Sequence, residues 1–103
     1  MREAEVEKKI VHFAKQLGIY TRKFTSPSHR AVPDRIFISN GSVLFLEIKA
    51  KGKRPTEAQQ HEMALIAAAG GMVGWVDNLE SAKSYLLQLR YHHPVFLINN
   101  LSR

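Results

Sequence analysis

Two acids and a lysine interrupt a segment that otherwise has the composition of a β-hairpin, "AVPDRIFISNGSVLFLEIKAKGKR", residues 31–54. Asp34 precedes the first apolar run, and Glu47 lies near the end of the second. The Asn-Gly pair between the runs favours a two-residue turn, so antiparallel pairing would bring both acids to one end of the hairpin. A buried charge is costly unless it is paired or bound to a metal. The converging carboxylates therefore predict a site for Mg²⁺ or Mn²⁺, which prefer oxygen ligands.

Lys49 lies two residues after Glu47, and side chains two residues apart in a strand point to the same face. An ammonium group there could polarise or deprotonate an attacking water molecule and offset the negative charge that develops on a pentavalent phosphate. The three side chains together are typical of phosphodiester hydrolysis. Two alternatives remain open: Asp34 could be an ordinary turn residue, and Lys49 could be only the ion-pair partner of Glu47.

The charge of the chain indicates a polyanionic partner, since 15 Lys and Arg against 9 Asp and Glu give a net charge of +6. Between residues 22 and 54 the only acids are Asp34 and Glu47. A cation between them and a phosphate would reconcile these two acids with a basic region. No groove-reading helix motif is present, so we expect the basic side chains to contact nucleic-acid phosphates and not bases. The residues expected to bind nucleic acid are Arg22, Lys23, His29, Arg30, Arg35, Lys51, Lys53 and Arg54.

Length and composition predict a single domain, residues 1–103. Hydrophobic periodicity predicts an α/β fold in which helices cover a mixed sheet, in the order α-β-β-β-α-β-α. A first helix carries an apolar stripe that ends near Gly18, and the strand "IYTRKF" and the hairpin follow. The second strand of the hairpin is apolar enough to be covered on both faces. A second helix ends at Gly70–Gly71, "MVGWV" forms the last sheet strand, and Asn78 opens a third helix. The final segment, "HHPVFLINNLSR", is expected to be an edge strand or a contact with another chain, with His92 and His93 solvated.

The remaining composition excludes several classes of protein. The chain has no cysteine, which removes disulfides and thiolate sites and leaves either a reducing compartment, such as the cytoplasm, or one in which the lack of cysteine is of no consequence. No apolar run approaches the roughly 18 residues that would span a bilayer, and no signal peptide is expected. "HEMAL" lacks the second histidine of a zinc protease helix, and "KGKRPT" lacks the GK[ST] ending of a phosphate loop.

Two more polar residues begin buried helical stripes and could point toward the metal site predicted at the end of the hairpin. Glu3 continues the stripe of the first helix, and Gln59 begins that of the second. Each has a structural alternative. Glu3 could simply stabilise a helix amino terminus, and Gln59 could close a capping box with Thr56, because T-x-x-Q is that signature.

The helix acid Glu3, "PD" at 33–34, "ExK" at 47–49 and Gln59 resemble the PD-(D/E)xK nuclease superfamily. The phrases "VPDRIFISNGSVLFLEIKAKGKRPTEAQ" and "AAAGGMVGWV" resemble its VRR-Nuc family in particular, over nearly the whole chain to about Val76. The resemblance implies a restriction-endonuclease-like fold, a mixed β-sheet core flanked by helices. It also implies that Glu3, Asp34, Glu47 and the backbone carbonyl of Ile48 hold Mg²⁺ or Mn²⁺, that Lys49 is catalytic, and that Gln59 supports the site.

Small stand-alone members of that family, often viral or bacterial, resemble Holliday junction resolvases that act as homodimers on branched DNA. The resemblance therefore implies a homodimeric, structure-selective DNA endonuclease in a bacterial or phage-infected cell. The chain departs from a common family form at Glu7, where Gln is more frequent, so either Glu3 or Glu7 could face the metal. Two alternatives are a nuclease acting on flaps or other DNA structures and a non-catalytic nucleic-acid-binding module that keeps the fold.

Overall fold

Three helices and four strands make up the part of the chain that the computed structural model describes, residues 1–91. They follow the predicted order, α-β-β-β-α-β-α. The elements are α1 (Glu3–Gln16), β1 (Tyr20–Lys23), β2 (Arg35–Ser39), β3 (Ser42–Ile48), α2 (Glu57–Ala68), β4 (Met72–Val76) and α3 (Leu79–Tyr91). The final segment 92–103, for which we predicted an edge strand or an interchain contact, lies outside these residues, as do His92 and His93. No helix within residues 1–91 is long and apolar enough to cross a membrane.

The central hairpin forms as the Asn-Gly pair predicts. Ser39 pairs with Ser42 in antiparallel register, and the two turn residues, Asn40 and Gly41, have φ angles of 53° and 79°. Positive φ at both central residues is what a type I′ turn requires, and this turn matches the twist of the flanking strands. The side-chain amide of Asn40 also donates a hydrogen bond to the carbonyl of Arg90 at the end of α3. The turn is thus fixed both by its own geometry and by α3.

All four strands lie in one mixed sheet in the order β1-β2-β3-β4, in which β4 runs parallel to β3 and the other pairs are antiparallel. One face of β3 presents the buried side chains of Leu44, Leu46 and Ile48 to the core. The helices α1 and α3 cover this face with apolar residues at helical spacing. Their buried side chains are Val6, Ile10 and Ala14 of α1 and Ala82, Leu86 and Leu89 of α3.

The other face of β3 is more open than the sequence indicates. We predicted a strand covered on both faces, but Val43 is 38% exposed and Phe45 is only partly buried. The reason is the position of α2, which packs beside β4 and has no fully buried residue. Its expected buried stripe is correspondingly weak: Met63 and Ile66 are half-buried, whereas Ala67 is exposed. The face that carries Glu47 is therefore accessible along much of its length.

Candidate active site

Asp34 and Glu47 meet at the end of the hairpin opposite the turn. Arg35 pairs with Leu46, so the next residue of each strand, Asp34 and Glu47, face one another by continuation of the register. The Oδ2 atom of Asp34 accepts a hydrogen bond of 2.7 Å from the backbone N–H of Ile48. The carbonyl of Asp34 accepts another, of 2.9 Å, from the N–H of Phe24. Asp34 is thus held by its side chain to the end of β3 and by its carbonyl to the residue that follows β1.

Glu47 is a buried carboxylate that its surroundings do not fully satisfy. Its side chain is 2% exposed, and its Oε2 atom lies 3.4 Å from Nζ of Lys49. Its Oε1 atom is buried without a hydrogen-bond partner among the residues that the structure describes. Buried polar atoms nearly always have a partner, so an exception at a carboxylate is typical of a site that binds a cation.

In the absence of a cation, the surroundings of Asp34 and Glu47 disfavour the ionised form of both carboxyl groups. Burial, followed by the nearby charge of Asp34, raises the pKa of Glu47 to about 7, although Lys49 acts in the opposite direction. Burial likewise raises the pKa of Asp34, and the charge of Glu7 adds to this, while the hydrogen bond from Ile48 opposes it. Desolvation and like charge are the two causes that raise a carboxyl pKa. A divalent cation would relieve both.

Lys49 forms a direct ion pair with Glu47, as the structural alternative for this lysine proposed. Its side chain is 14% exposed, and its backbone N–H donates a hydrogen bond of 2.8 Å to the carbonyl of Val76 on β4. The ammonium group is therefore held close to the two carboxylates at the carboxyl ends of two parallel strands. This position is compatible with a catalytic role as well as with simple charge pairing.

The two acids of α1 have different surroundings. Glu3 is exposed in the first turn, and its charge contributes to the raised pKa of Glu47. Glu7 instead accepts hydrogen bonds from Nε of Arg35 at 2.7 Å and Nζ of Lys23 at 3.0 Å. Burial tends to raise the pKa of Glu7, but these two bonds hold it below its usual value. Glu7 is thus bound to basic partners, although its charge also acts on Asp34. Metal binding by either helix acid stays a prediction.

Asp34 and Glu47 come together, but the expected set of three carboxylates does not assemble around them. Within residues 1–91, no group of three His, Cys, Asp or Glu side chains lies close enough to hold a metal ion. The side chain of Glu3 remains in solvent at the first residue of α1. For Ile48, the structure shows the role of its N–H group, which binds Asp34. Metal binding by the carbonyl of Ile48 stays a prediction.

Gln59 forms the capping box that was the structural alternative for this residue. Its Oε1 atom accepts a hydrogen bond of 2.9 Å from the N–H of Thr56, and Thr56 Oγ1 accepts one of 3.1 Å from the N–H of Gln59. These reciprocal bonds satisfy backbone donors at the start of α2. Support of the active site by Gln59 stays a prediction.

The basic residues expected to contact DNA divide into two groups. Arg35 is 15% exposed, and besides Glu7 it donates to Oγ1 of Thr21 at 3.1 Å, so its guanidinium is occupied within the fold. Sequence reasoning missed this role because net charge does not distinguish a structural arginine from one that binds a ligand. Lys23 also contacts Glu7 but is 67% exposed. The remaining predicted contacts are exposed: Arg22, His29, Arg30, Lys51, Lys53 and Arg54.

Loss of the Arg35 side chain should destabilise the fold, since a largely buried Glu7 would lose its closest partner. We expect Arg35→Met to lower the free energy of unfolding by about 2–3 kcal/mol, measured by urea denaturation. Arg2→Met is the matched control, because the pair of Arg2 with Glu5 is exposed at both ends. It should change stability by less than about 0.5 kcal/mol. Equal effects of the two substitutions would contradict a structural role for Arg35.

Comparisons with known proteins show what this chain is similar to. No model of a protein family matches the chain. The curated protein "Putative nuclease p44" of Acyrthosiphon pisum secondary endosymbiont phage 1 is 39% identical over 79 residues, which are 76% of this chain and 85% of that protein. A solved structure named "VRR_NUC domain" has a TM-score of 0.73 and 24% identity, and covers 80% of this chain and 90% of its own. Another, named "VRR_NUC domain protein", has the same TM-score and 20% identity, with coverages of 86% and 88%.

Proposed function

Because this chain belongs to the VRR-Nuc family of nucleases, we propose that it is a Mg²⁺-dependent endonuclease that hydrolyses DNA phosphodiester bonds by PD-(D/E)xK chemistry. The observation that carries this proposal is the group at the open end of the hairpin. There, Asp34 and Glu47 face one another and Nζ of Lys49 lies 3.4 Å from Glu47. Two acids and a lysine at the end of a central strand suit phosphoryl chemistry better than a passive binding surface.

The residues present fit a hard divalent cation. The buried Oε1 atom of Glu47 without a described partner and the raised pKa values of both carboxyl groups each favour a positive ligand. Asp34 and Glu47 would hold Mg²⁺, with the carbonyl of Ile48 and with Glu3 as further ligands, and Mn²⁺ would substitute. The bound cation would supply Lewis-acid polarisation of the scissile phosphate.

Lys49 is the residue to which we assign the proton chemistry. Hydrolysis forms a bond from a water oxygen to phosphorus and breaks the P–O bond to a sugar oxygen of one strand, which leaves as a hydroxyl after it takes up a proton. The water must lose a proton during this step, and negative charge accumulates on the phosphate oxygens. An ammonium or amine group beside the two carboxylates can orient the water, accept its proton through the neutral form, or offset the developing charge. Gln59 is proposed to support this arrangement from the start of α2.

The preferred substrate is proposed to be branched DNA, cut by a homodimer. The exposed basic side chains on both sides of the site can contact backbone phosphates. The arrangement of these phosphates depends on the shape of the DNA and does not report its sequence. The resemblance of members of this family to Holliday junction resolvases supports two copies acting together on a four-way junction. The segment from Tyr91 to Leu101 is the first candidate for contact between copies; Tyr91 is exposed, and the residues after it lie outside the described part of the chain.

A panel of labelled DNA substrates tests the proposal. We expect the purified protein to nick four-way junctions symmetrically in Mg²⁺ or Mn²⁺ and to leave duplex DNA intact. Flaps and single strands serve as the other members of the panel, and EDTA should abolish every cut. Cleavage confined to flaps would refute the junction preference alone. Binding of DNA without cleavage in either metal, together with no Mn²⁺ binding by calorimetry, would show a non-catalytic module on a nuclease fold.

A further inference from the structure

Trp75 lies beside the candidate active site on the open face of the sheet. In the parallel pairing of β3 and β4 its partner is Glu47, so the two side chains project from the same face at neighbouring positions. The Trp75 side chain is only partly buried. An indole next to a buried carboxylate contributes nothing to metal binding, so its position raises the question of what it contacts when substrate is present.

The guanidinium group of Arg54 lies over the Trp75 ring. Its guanidinium carbon is 6.0 Å from the centroid of the Trp75 ring, the outer limit of a cation–π contact. The loop that carries Arg54 is anchored on both sides. The N–H of Gly52 donates to Oδ2 of Asp77 at 3.0 Å. Pro55 is buried, and its carbonyl accepts a hydrogen bond of 3.0 Å from Nε2 of Gln60. Arg54 is exposed on a loop whose backbone is fixed next to the site.

We propose that Trp75 and Arg54 form a stacking platform for an unpaired nucleobase next to the scissile phosphate. This inference rests on the proposed nuclease function. Single-stranded bases stack on aromatic rings, such as indole, and on planar guanidinium groups, since every base has a π-face. The phosphate of the same nucleotide would then lie toward Glu47 and Lys49, one strand position away.

A stacking platform would explain how a chain with a basic surface selects DNA by structure. Bases in an intact duplex are stacked on one another and cannot reach Trp75 without unpairing. Nucleotides of a flap or single-stranded end are already unpaired and avoid this cost, and a branch point lowers it because the continuous duplex is interrupted there. The substrate class is therefore DNA with at least one unpaired or splayed nucleotide at the cut.

The fluorescence of Trp75 can test this directly, because it is the only tryptophan of the chain. We would titrate the protein in EDTA, where no cleavage is expected, with a single-stranded oligonucleotide, with a duplex of the same length and with the same single strand made fully abasic. We expect quenching by the base-containing single strand and little change with the other two. Fluorescence anisotropy of labelled DNA would report binding independently.

Substitution separates stacking from a structural role of the indole. Trp75→Leu should weaken binding of the base-containing single strand roughly 5- to 150-fold, the equivalent of one base–aromatic stack. Trp75→Phe should lose less affinity for the same strand. Binding of the abasic strand should be the same in both variants and in wild type, which a merely misfolded variant would not reproduce. Tyr20→Leu is the matched control: Arg22 lies over the Tyr20 ring at 4.3 Å on the same sheet, at the turn end.

Each outcome decides the inference. Unchanged fluorescence with intact binding by anisotropy, or an equal loss for base-containing and abasic strands, would overturn the stacking platform and leave the proposed nuclease function standing. If Tyr20→Leu weakened binding of the base-containing single strand as much as Trp75→Leu does, the stacking platform could not be located beside Glu47. No binding of any DNA would overturn both the platform and the proposed function.

Discussion

Lys49→Ala should lower the rate of DNA cleavage by about 10²- to 10⁴-fold, the range expected when a group that handles the proton in the transition state is removed. The physical reason is the place of its ammonium group, 3.4 Å from Glu47 and largely screened from solvent. No other lysine contacts Glu47 in the described part of the chain, so water cannot be positioned by a substitute side chain. Binding of DNA should remain, because the exposed basic residues around the site are unchanged.

Lys15→Ala is the control for this prediction. Lys15 lies in the last turn of α1, near the turn end of the sheet, and is exposed. The Lys15→Ala variant loses the same charge as Lys49→Ala, but at the opposite end of the molecule. It should cleave DNA at the wild-type rate. Single-turnover cleavage of a labelled junction gives the chemical rate, and anisotropy gives the affinity. Wild-type cleavage by Lys49→Ala would remove this lysine from the mechanism.

Glu47→Gln should have two opposite consequences: loss of cleavage and a gain in metal-free stability. The pKa of Glu47 is about 7 in the folded protein, above its ordinary value of 4.5. As pH rises between these values the unfolded chain loses its proton first, so the wild-type protein loses stability across this window. In EDTA at pH 8 the variant should therefore be more stable by about 1–3 kcal/mol. Below pH 4.5, where both states are protonated, the gain should disappear.

Mg²⁺ should reverse the order of stability of wild type and Glu47→Gln. A ligand that binds only the folded state stabilises it, by about 2.7 kcal/mol at a hundred times its dissociation constant. Wild type should gain this stability from Mg²⁺, whereas Glu47→Gln, which lacks the charged ligand, should gain little. Glu80→Gln, an exposed acid on α3, serves as the control and should respond as wild type does. Urea denaturation with and without Mg²⁺ measures all three, and identical Mg²⁺ responses in wild type and Glu47→Gln would contradict metal binding by Glu47.

The core of the site was predictable because it is local in sequence. Asp34 and Glu47 belong to one hairpin, whose register is set by a two-residue turn and by the alternation of side chains. Both signals are readable in a single sequence, and they place the acids together before any tertiary contact is known. The capping box of Gln59 is local in the same way, which is why its structural role could be anticipated.

Features that depend on docking between distant elements were not predictable. The Glu7–Arg35 pair joins residues 28 positions apart and exists only because α1 packs against the sheet near the start of β2, where Arg35 lies. The place of Trp75 beside Glu47 depends on a parallel register, which is set by the packing of α2 and not by a turn. The open face of β3 likewise follows from where α2 packs. Composition marks such residues as charged or apolar, but it does not pair them.

The register of the hairpin also restricts how this segment can change in evolution. Leu46 and Glu47 are adjacent in β3, one buried in the core under α1 and α3 and the other facing the site. One residue inserted or deleted within either strand would exchange the two faces, sending the carboxylate into the core and leucine to the site. Among functional relatives, length changes between the two acids should therefore fall in the turn, and the strands themselves should keep a constant length.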